Sequence, residues 1–405
     1  AAVWSSLNAL REPAPQERLS PILAERLYGQ VLRTSVSRME QFAACPFKFF
    51  VHSGMRAEER RLFELDVKEQ GSFQHDVLAL FHEQLRSEHK RWRDLTPAEA
   101  RARVAAAAAA LVATYREGLL DANDQTRFMA RAMTESLQDF VEILVVWMLQ
   151  QYAFDPVHVE LPFGENEAQP AWTIDLGQQH QLQLYGRIDR VDLFRKPGAA
   201  EALCVVVDYK SSQKRLDEVL MAHGLQLQLL TYLNVLRDWP HPEDLFGVSR
   251  LVPSGVFYVN LRGRYSPGKN RTDALADQER DRKLAYRHAG RFDVEALPYL
   301  DSRTGPRKGD QFNFRVLKDG RMHKSCREPQ ASAEFIGLLD AVKRHLADMG
   351  RKVYLGMASL DPYRKGNATA CDQCAYRWIC RIDPWTHRYR VLQSEPKNHD
   401  SDPAD

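Results

Sequence analysis

Two aspartates and a lysine in the middle of the chain have the residue types and spacing of a metal-dependent hydrolytic site. Asp189 lies in the stretch GRIDRVD, and Asp208 and Lys210 lie in DYKSS farther along. Carboxylate oxygens are the ligands that Mg²⁺ and Mn²⁺ prefer. A bound ion lowers the pKa of a water molecule and neutralises charge on a phosphate, and a lysine beside it can orient the attacking water. These three residues therefore predict hydrolysis of a phosphodiester.

The residues around these motifs predict the strands that must position the site. Alternating apolar and polar residues over 181–194 are typical of a half-buried strand, and the apolar run over 203–208 is typical of a more deeply buried one. A short turn joins them into a hairpin, so Asp189 and Asp208 project toward one point and Lys210 shares a face with Asp208. Taken singly, each charge is as easily explained as the surface partner of a neighbouring charge.

A helix predicted over 224–236 adds two polar residues, Gln228 and Tyr232, at positions i and i+4 of one face. Both can hydrogen-bond a nucleotide, and Tyr232 can also stack on a base. The alternative, a helix face packed on the sheet, suits Tyr232 better than Gln228. In the order GRID, DYKSS and QLLTY, the motifs resemble the PD-(D/E)xK nuclease superfamily in its RecB-like branch. The resemblance implies an α/β, restriction-endonuclease-like fold with a mixed sheet flanked by helices.

The same resemblance implies a metal ligand that pattern alone does not indicate. His75 lies near the start of an amphipathic helix that begins GSFQHDV, where a lone histidine usually serves packing or faces solvent. In RecB-like nucleases a histidine on a helix before the sheet ligates the metal, and His75 matches it. We expect His82 to be structural and Glu160 to be a charge on an edge strand. The implied ligands are His75, Asp189, Asp208 and the backbone carbonyl of Tyr209.

Six cysteines occur in the chain, and three of them follow the spacing C-x2-C-x5-C in CDQCAYRWIC, at Cys371, Cys374 and Cys380. In a cytosolic protein this spacing argues for metal rather than for disulfides. Cys45 is the candidate for a fourth ligand, because Cys204 belongs to a buried strand and Cys326 to a polar loop. Four thiolates suit zinc by default, although zinc ligands usually come as two close pairs. From the residues alone, both zinc and an iron–sulfur cluster remain open.

One distant cysteine followed by a C-terminal triad is the layout of iron–sulfur nucleases. With CPFKFF and PYRKGNATACDQCAYRWIC added, the motifs resemble the AddB family of helicase–nuclease subunits over nearly the whole chain. That resemblance implies a structural [4Fe-4S] cluster that staples the two ends of the nuclease domain. It also implies Mg²⁺-dependent cleavage of the 5′-terminated strand of DNA, a single-stranded substrate and an AddA-like partner subunit. The cluster ligands would be Cys45, Cys371, Cys374 and Cys380.

Two other functions are compatible with the motifs. A free-standing exonuclease of the CRISPR-adaptation type has the same nuclease motifs and cysteine layout, and would act on free DNA ends without a motor partner. A DNA-binding scaffold that no longer cuts is the alternative from a different class, although the complete acidic set argues against it.

Composition and charge are those of an ordinary soluble globular protein. The 405 residues are 44% hydrophobic and 27% charged with a formal net charge of +2, so any DNA-binding charge must be local. The longest apolar run, 140–149, has about half the length that a bilayer demands. No signal peptide opens the chain, and we expect a cytoplasmic location. The start without a methionine suggests a fragment of a longer polypeptide or a processed chain.

The predicted organisation is an N-terminal extension over 1–33, an iron–sulfur nuclease domain over 34–389 and a disordered tail over 390–405. Within the domain we expect a helical layer at 95–150, a charged insertion at 263–330 and the cysteine segment at 362–384. The insertion begins with GRYSPGKN, which matches a phosphate-binding loop except that Asn270 replaces the Ser or Thr that binds Mg²⁺. We interpret it as a basic loop that contacts DNA backbone or solvent through Arg262, Arg264, Lys269 and Arg271.

Overall fold

The computed structural model describes residues 18–58, 63–165, 167, 169–263, 278–383 and 387–393. Its α-helices are α1 Pro21–Tyr28, α2 Val36–Ala44, α3 Pro46–Phe49, α4 Val67–Ser87, α5 Pro97–Val112, α6 Asp124–Gln150, α7 Glu218–Ala222, α8 Gln228–Arg237, α9 Pro242–Phe246, α10 Gln278–Ala285, α11 Leu297–Leu300, α12 Ser332–Tyr354 and α13 Arg377–Cys380. Its strands are β1 Val31–Ser35, β2 Asp155–Phe163, β3 Trp172–Gly177, β4 His180–Arg195, β5 Glu201–Lys210, β6 Arg250–Asn260, β7 Ala289–Asp293, β8 Arg307–Lys308, β9 Arg315–Val316, β10 Pro329–Gln330, β11 Tyr363–Lys365, β12 Ala368–Thr369 and β13 Arg390–Val391.

A mixed sheet in the order β1-β4-β5-β6-β7-β10 forms the centre of the fold, and β2 and β3 each pair with β4. The long strand β4 serves two neighbourhoods: its first part pairs with β1 and β3, and its second part pairs with β2 and β5. β4 and β5 form the antiparallel hairpin predicted from the sequence, and β5 pairs with β6 in parallel. The predicted fold class, a mixed α/β sheet flanked by helices, is therefore confirmed.

Helices cover both faces of this sheet and divide its core into two. The first core holds residues of α2, α8 and α12, and the second holds residues of α4, α5 and α6. Strand β5 contributes to both, because Val206 lies in the first core and Val205 and Val207 lie in the second. Burial on both faces explains why this strand is a continuous apolar run in the sequence. None of the helices described here is both long enough and apolar enough to span a membrane.

Two segments differ from what the sequence predicts. The stretch expected to be a charged insertion contributes β7 and β10 to the main sheet. β7 has a weak sequence signal because it is short and contains Gly290, where a Cβ would lie 1.7 Å from the carbonyl oxygen of Val256. The tail expected to be disordered from Arg390 begins with β13, which pairs in parallel with the distant strand β11. The basic-loop residues Arg264, Lys269 and Arg271 lie outside the described residues.

The segment before the sheet and the segment that carries the three late cysteines lie against each other. The Phe47 amide donates a 3.1 Å hydrogen bond to the carbonyl of Ser359. The Tyr376 hydroxyl donates a 2.8 Å hydrogen bond to the carbonyl of Ala57. These contacts bring the region around Cys45 close to the C-terminal cysteines.

Candidate active site

The candidate site lies where β4 and β5 separate. Pairing between the two strands stops at Arg190 and Val207. Beyond that pair, Oδ2 of Asp189 accepts a 2.8 Å hydrogen bond from the backbone amide of Tyr209. The carboxylate is thus held in the gap between the strands, and only 8% of Asp189 is exposed. The separation of the strands creates room for a ligand next to this buried acid.

His75 reaches the gap from α4. Its Nδ1 lies 2.7 Å from Oε1 of Glu160 on β2, and its Nε2 lies 3.8 Å from Oδ2 of Asp189. Ligand atoms of these three residues all lie within 4.8 Å of one another, and no other set of His, Cys, Asp or Glu in the described chain is so compact. Because Glu160 occupies Nδ1, Nε2 is left to face Asp189. Metal-binding histidines are commonly oriented by a carboxylate in this way.

Glu160 is on an edge strand as expected, but the expectation that it serves only as an edge charge is wrong. The pairs Val159–Arg190 and Leu161–Ile188 place Glu160 directly opposite Asp189 in the antiparallel register. The φ angle of Glu160 is +55°, in the left-handed region that residues other than glycine rarely adopt. Neither the register of β2 against β4 nor this backbone conformation has a local sequence signal.

Asp208 and Lys210 lie at the end of β5, on the other side of the gap. Asp208 is fully buried, and one of its carboxylate oxygens contacts the ammonium of Lys210. Asp208 does not belong to the compact group around His75. Its charge nevertheless acts on Asp189, whose pKa it raises. The structure thus brings together the three residues with which the sequence analysis began, with Asp208 paired to the lysine.

The charges of this site are arranged as if a cation belonged among them. Burial, followed by the charge of Asp208, raises the pKa of Asp189 to about 7. Burial alone would lower the pKa of His75, but Asp189 and Glu160 outweigh it, and that pKa rises to about 9. Burial also opposes the charge of Lys210, yet Asp208 and Asp189 raise its pKa. Carboxylates with one imidazole nitrogen fit Mn²⁺ or Mg²⁺, and such an ion would displace the proton from His75.

Gln228 and Tyr232 share one face of α8, as their spacing predicts. The side-chain amide of Gln228 donates a 3.1 Å hydrogen bond to the hydroxyl of Tyr232. Glu40 holds the start of this helix, because its carboxylate accepts hydrogen bonds from the backbone amides of Leu227, at 2.6 Å, and Gln228, at 3.0 Å. The spacing of Ser37 and Glu40 predicts a capping box on α2, but Glu40 caps α8 instead.

Two further residues near the site have weak or no sequence signals. Lys214, visible in the sequence only as part of a basic pair with Arg215, places its ammonium 4.9 Å from the ring centroid of Tyr258. The ammonium of Lys210 lies 5.7 Å from the same ring. Burial, followed by the charge of Lys210, lowers the pKa of Lys214. A second amine therefore lies close to the first, across an aromatic ring.

His82 has a structural role, as expected. Its Nδ1 accepts a 3.1 Å hydrogen bond from the indole of Trp92, and its Nε2 lies 3.3 Å from the carbonyl oxygen of Val157. Both ring nitrogens are therefore used within the protein, which leaves His75 as the histidine of the site.

The family model for the PD-(D/E)XK nuclease superfamily matches residues 33–381. The chain belongs to this superfamily. It is similar to three proteins whose names describe them as the second of the subunits of an ATP-dependent helicase/deoxyribonuclease. Identity is 33% with the protein of Moorella thermoacetica, over 90% of this chain and 31% of that protein. It is 30% with that of Geobacillus kaustophilus, over 92% and 32%, and 31% with that of Bacillus velezensis, over 94% and 32%. The chain thus spans about a third of the length of these curated relatives.

In this PD-(D/E)XK protein, Cys45 lies between α2 and α3 and is buried. Burial raises the pKa of its thiol, and the backbone amides of Lys48, Asp361 and Phe47 partly offset that rise. The charge of Cys371 also acts on Cys45. Amides directed at a buried sulfur stabilise the thiolate, which is the form that binds a metal.

The three late cysteines interact with one another in the same way. Burial raises the pKa of Cys371, and the charges of Cys374 and Cys380 raise it further. All six cysteines lie in the described part of the chain and are unpaired there. No three of their sulfur atoms come within 4.8 Å of one another. Four sulfurs around one zinc ion would be about 3.8 Å apart, because each Zn–S bond is about 2.3 Å long.

Proposed function

We propose that this chain is a metal-dependent deoxyribonuclease, the nuclease portion of an AddB-like protein. One observation carries the proposal: Asp189 faces Nε2 of His75 in the gap between β4 and β5, and Asp208 and Lys210 adjoin it. Membership of the PD-(D/E)XK superfamily supports nuclease chemistry. The names of the relatives support DNA as the substrate and a helicase–nuclease as the parent complex.

The residues have complementary roles in this proposal. Mg²⁺, when bound, lowers the pKa of a water molecule and neutralises charge on the phosphate. Lys210, with 26% of its side chain exposed, lines a cavity of about 580 Å³ together with His75 and Glu160. From there its ammonium orients the attacking water and stabilises the growing negative charge on the phosphate. The metal ligands are His75, Asp189, Asp208 and the carbonyl of Tyr209, and Glu160 fixes the ring of His75.

Gln228 and Tyr232 position the DNA strand for cleavage. Their mutual hydrogen bond orients both polar groups, and the cap supplied by Glu40 fixes the first turn of α8 on which Gln228 lies. Charges of Asp189 and Asp208 act on the Tyr232 hydroxyl, so this face of α8 lies near the acids. A hydroxyl and an amide in this position can hydrogen-bond a sugar or phosphate.

The substrate in this proposal is single-stranded DNA, cut on its 5′-terminated strand after an AddA-like helicase partner separates the duplex. The chain covers about a third of each relative, so the rest of the parent protein and its partner would deliver the strand. The names of the relatives do not favour a free-standing exonuclease, and the complete acidic set does not favour a scaffold without activity. Six unpaired cysteines suit the reducing cytoplasm.

A [4Fe-4S] cluster on Cys45, Cys371, Cys374 and Cys380 completes the proposal. Support comes from the amides around the Cys45 sulfur and from the mutual charge effects of the cysteines. Their sulfur atoms are too far apart for a single zinc ion, and a four-iron cluster spreads its thiolates more widely. A bond from Cys45 to the distant triad closes a very long loop, which removes chain entropy from the unfolded state.

Cleavage of end-labelled single-stranded DNA by the purified protein tests the nuclease proposal. We expect cleavage with Mg²⁺, none with excess chelator, and none by Asp208→Ala, whose circular dichroism should match that of the wild type. Glu201→Ala is the matched control, because Glu201 is an exposed acid at the opposite end of β5 that pairs with Arg250. Cleavage by a folded Asp208→Ala protein would refute the assignment.

A further inference from the structure

The face of β4 that carries Asp189 continues as an exposed row. Arg187 and Tyr185 precede Asp189 by two and four residues, so the three side chains project from one side of the strand at steps of about 6.6 Å. The residues between them on the opposite face, Leu184 and Ile188, lie in the first core. Tyr185 is 48% exposed, and the side chain of Arg187 is 59% exposed. An aromatic ring and a cation therefore lead in sequence to the metal site.

This row lines a continuous groove. Arg187 borders both the site cavity of about 580 Å³ and a second cavity of about 490 Å³. The second cavity contains Tyr185 and, from the neighbouring strand β1, Arg33. On the other side, Lys68 and Ser72 border both the site cavity and a third cavity of about 740 Å³. The groove therefore runs across the metal site and leaves it in two directions.

The chemistry of the row matches an unpaired nucleic acid strand. A base that is free of a duplex can stack on an exposed aromatic ring, and a guanidinium beside it can bind the phosphate backbone. The guanidinium of Arg187 makes a contact of 3.7 Å with the carboxylate of Glu160, which itself adjoins His75. Arg187 thus lies next to the metal ligands, and Tyr185 lies one step farther away.

We propose that Tyr185 and Arg187 bind single-stranded DNA on one side of the scissile bond. Arg187 holds the phosphate nearest the cleaved one, and the ring of Tyr185 stacks on a base farther along the strand. This inference rests on the nuclease function proposed above for the adjoining metal site. It adds a substrate-binding row outside the nuclease motifs, with the two residues acting on affinity rather than on the reacting atoms.

Binding of fluorescein-labelled oligothymidine, followed by anisotropy across a range of salt concentrations, tests the row. All variants are made in the Asp208→Ala protein, so that DNA is not cut. We expect Tyr185→Ala to weaken binding by about tenfold and Tyr185→Phe, which keeps the ring, to bind like its parent. Arg187→Ala should lower the slope of log affinity against log salt by about 0.7, the value for one lost phosphate contact, and Arg187→Lys should keep the slope.

Two variants serve as matched controls. Arg86 has the same 59% side-chain exposure as Arg187 and also pairs with an acid, but it lies near the end of α4. Phe128 is an exposed ring near the start of α6, with 66% exposure. Arg86→Ala and Phe128→Ala should bind like the parent, and an equal loss in them would overturn the proposal.

Unchanged affinity and salt slope in Tyr185→Ala and Arg187→Ala would also overturn the row. The nuclease proposal would survive that result if the wild type cuts DNA and Asp208→Ala does not. The opposite combination is distinguishable too, because loss of cleavage activity in the wild type would refute the nuclease and leave the binding result to decide the row.

Discussion

The carboxylate of Glu160 lies 2.7 Å from Nδ1 of His75. This contact joins the edge strand β2 to helix α4 and determines which ring nitrogen of His75 is free. With Nδ1 engaged, Nε2 faces Asp189 at 3.8 Å. The residue opposite Asp189 in the register of the sheet thus orients the histidine that shares the metal site with Asp189.

Replacing Glu160 tests this orienting role. Glu160→Ala should weaken the affinity for Mg²⁺ or Mn²⁺ by about 10- to 100-fold, as loss of an outer partner of a metal-binding histidine typically does. Glu160→Gln should weaken it less, because an amide oxygen can still accept from Nδ1. The measurement is the Mg²⁺ concentration that gives half-maximal cleavage, with Glu201→Ala as the control. An unchanged value in Glu160→Ala would show that Glu160 does not orient the ligand.

Replacing Glu40 tests the cap on α8. Glu40→Ala leaves the amides of Leu227 and Gln228 without their acceptor, so the free energy of unfolding should fall by about 1 kcal/mol, the usual cost of a lost helix cap. Cleavage should also slow, because Gln228 loses its fixed position. Glu40→Gln keeps an acceptor oxygen and should retain most stability and activity in urea denaturation and kcat/KM measurements. Equal damage in both variants would rule out the capping role.

A buried ion pair behind the site predicts a large stability effect. Arg190 and Asp192 are both fully buried, with Nε of the arginine 2.8 Å from Oδ1 of the aspartate. The hydroxyl of Tyr152 donates a further 2.7 Å hydrogen bond to Asp192. Asp192→Ala leaves the arginine charge uncompensated and should lower the free energy of unfolding by about 3–5 kcal/mol. Chemical denaturation measures the loss, and a change no larger than that of the exposed-site variant Glu201→Ala would contradict it.

The cysteine cluster predicts a coloured protein. Anaerobically purified wild type should absorb in the visible range and contain iron and sulfide in equal amounts, as a [4Fe-4S] cluster requires. Cys371→Ser should lose colour, iron and thermal stability together, whereas Cys326→Ser should lose none of them. Cys326 is the control because it is also a partly exposed, unpaired cysteine. A colourless wild type that contains zinc, or a stable and still brown Cys371→Ser protein, would rule out the proposed staple.

The strands and their acidic residues were predictable because they depend on short-range patterns. Asp208 and Lys210 end an apolar run, and Asp189 lies in a strand with clear alternation, so a hairpin was enough to bring them together. That alternation is not maintained throughout, since Ile188 and Val191 both lie in the first core. The pattern could not reveal this change of face, because the separation of β4 from β5 that causes it involves two strands.

The remaining residues of the site depend on contacts that a single sequence does not specify. Glu160 reaches His75 through the register of β2 against β4 and through a left-handed backbone at its own position. Glu40 follows the spacing of a cap for its own helix but caps a helix far along the chain. Only the tertiary fold decides which amides such an acceptor meets. His75 was assigned by resemblance, since its local pattern is that of an ordinary amphipathic helix.

The central claim is that a divalent ion binds in the gap between β4 and β5. Anomalous X-ray diffraction from crystals soaked in Mn²⁺ tests it most directly. We predict a peak at about 2.1–2.3 Å from Nε2 of His75 and from carboxylate oxygens of Asp189 and Asp208, with no peak there in Asp189→Ala crystals. A wild-type crystal that cleaves DNA when redissolved, yet shows Mn²⁺ only at other positions, would contradict the account.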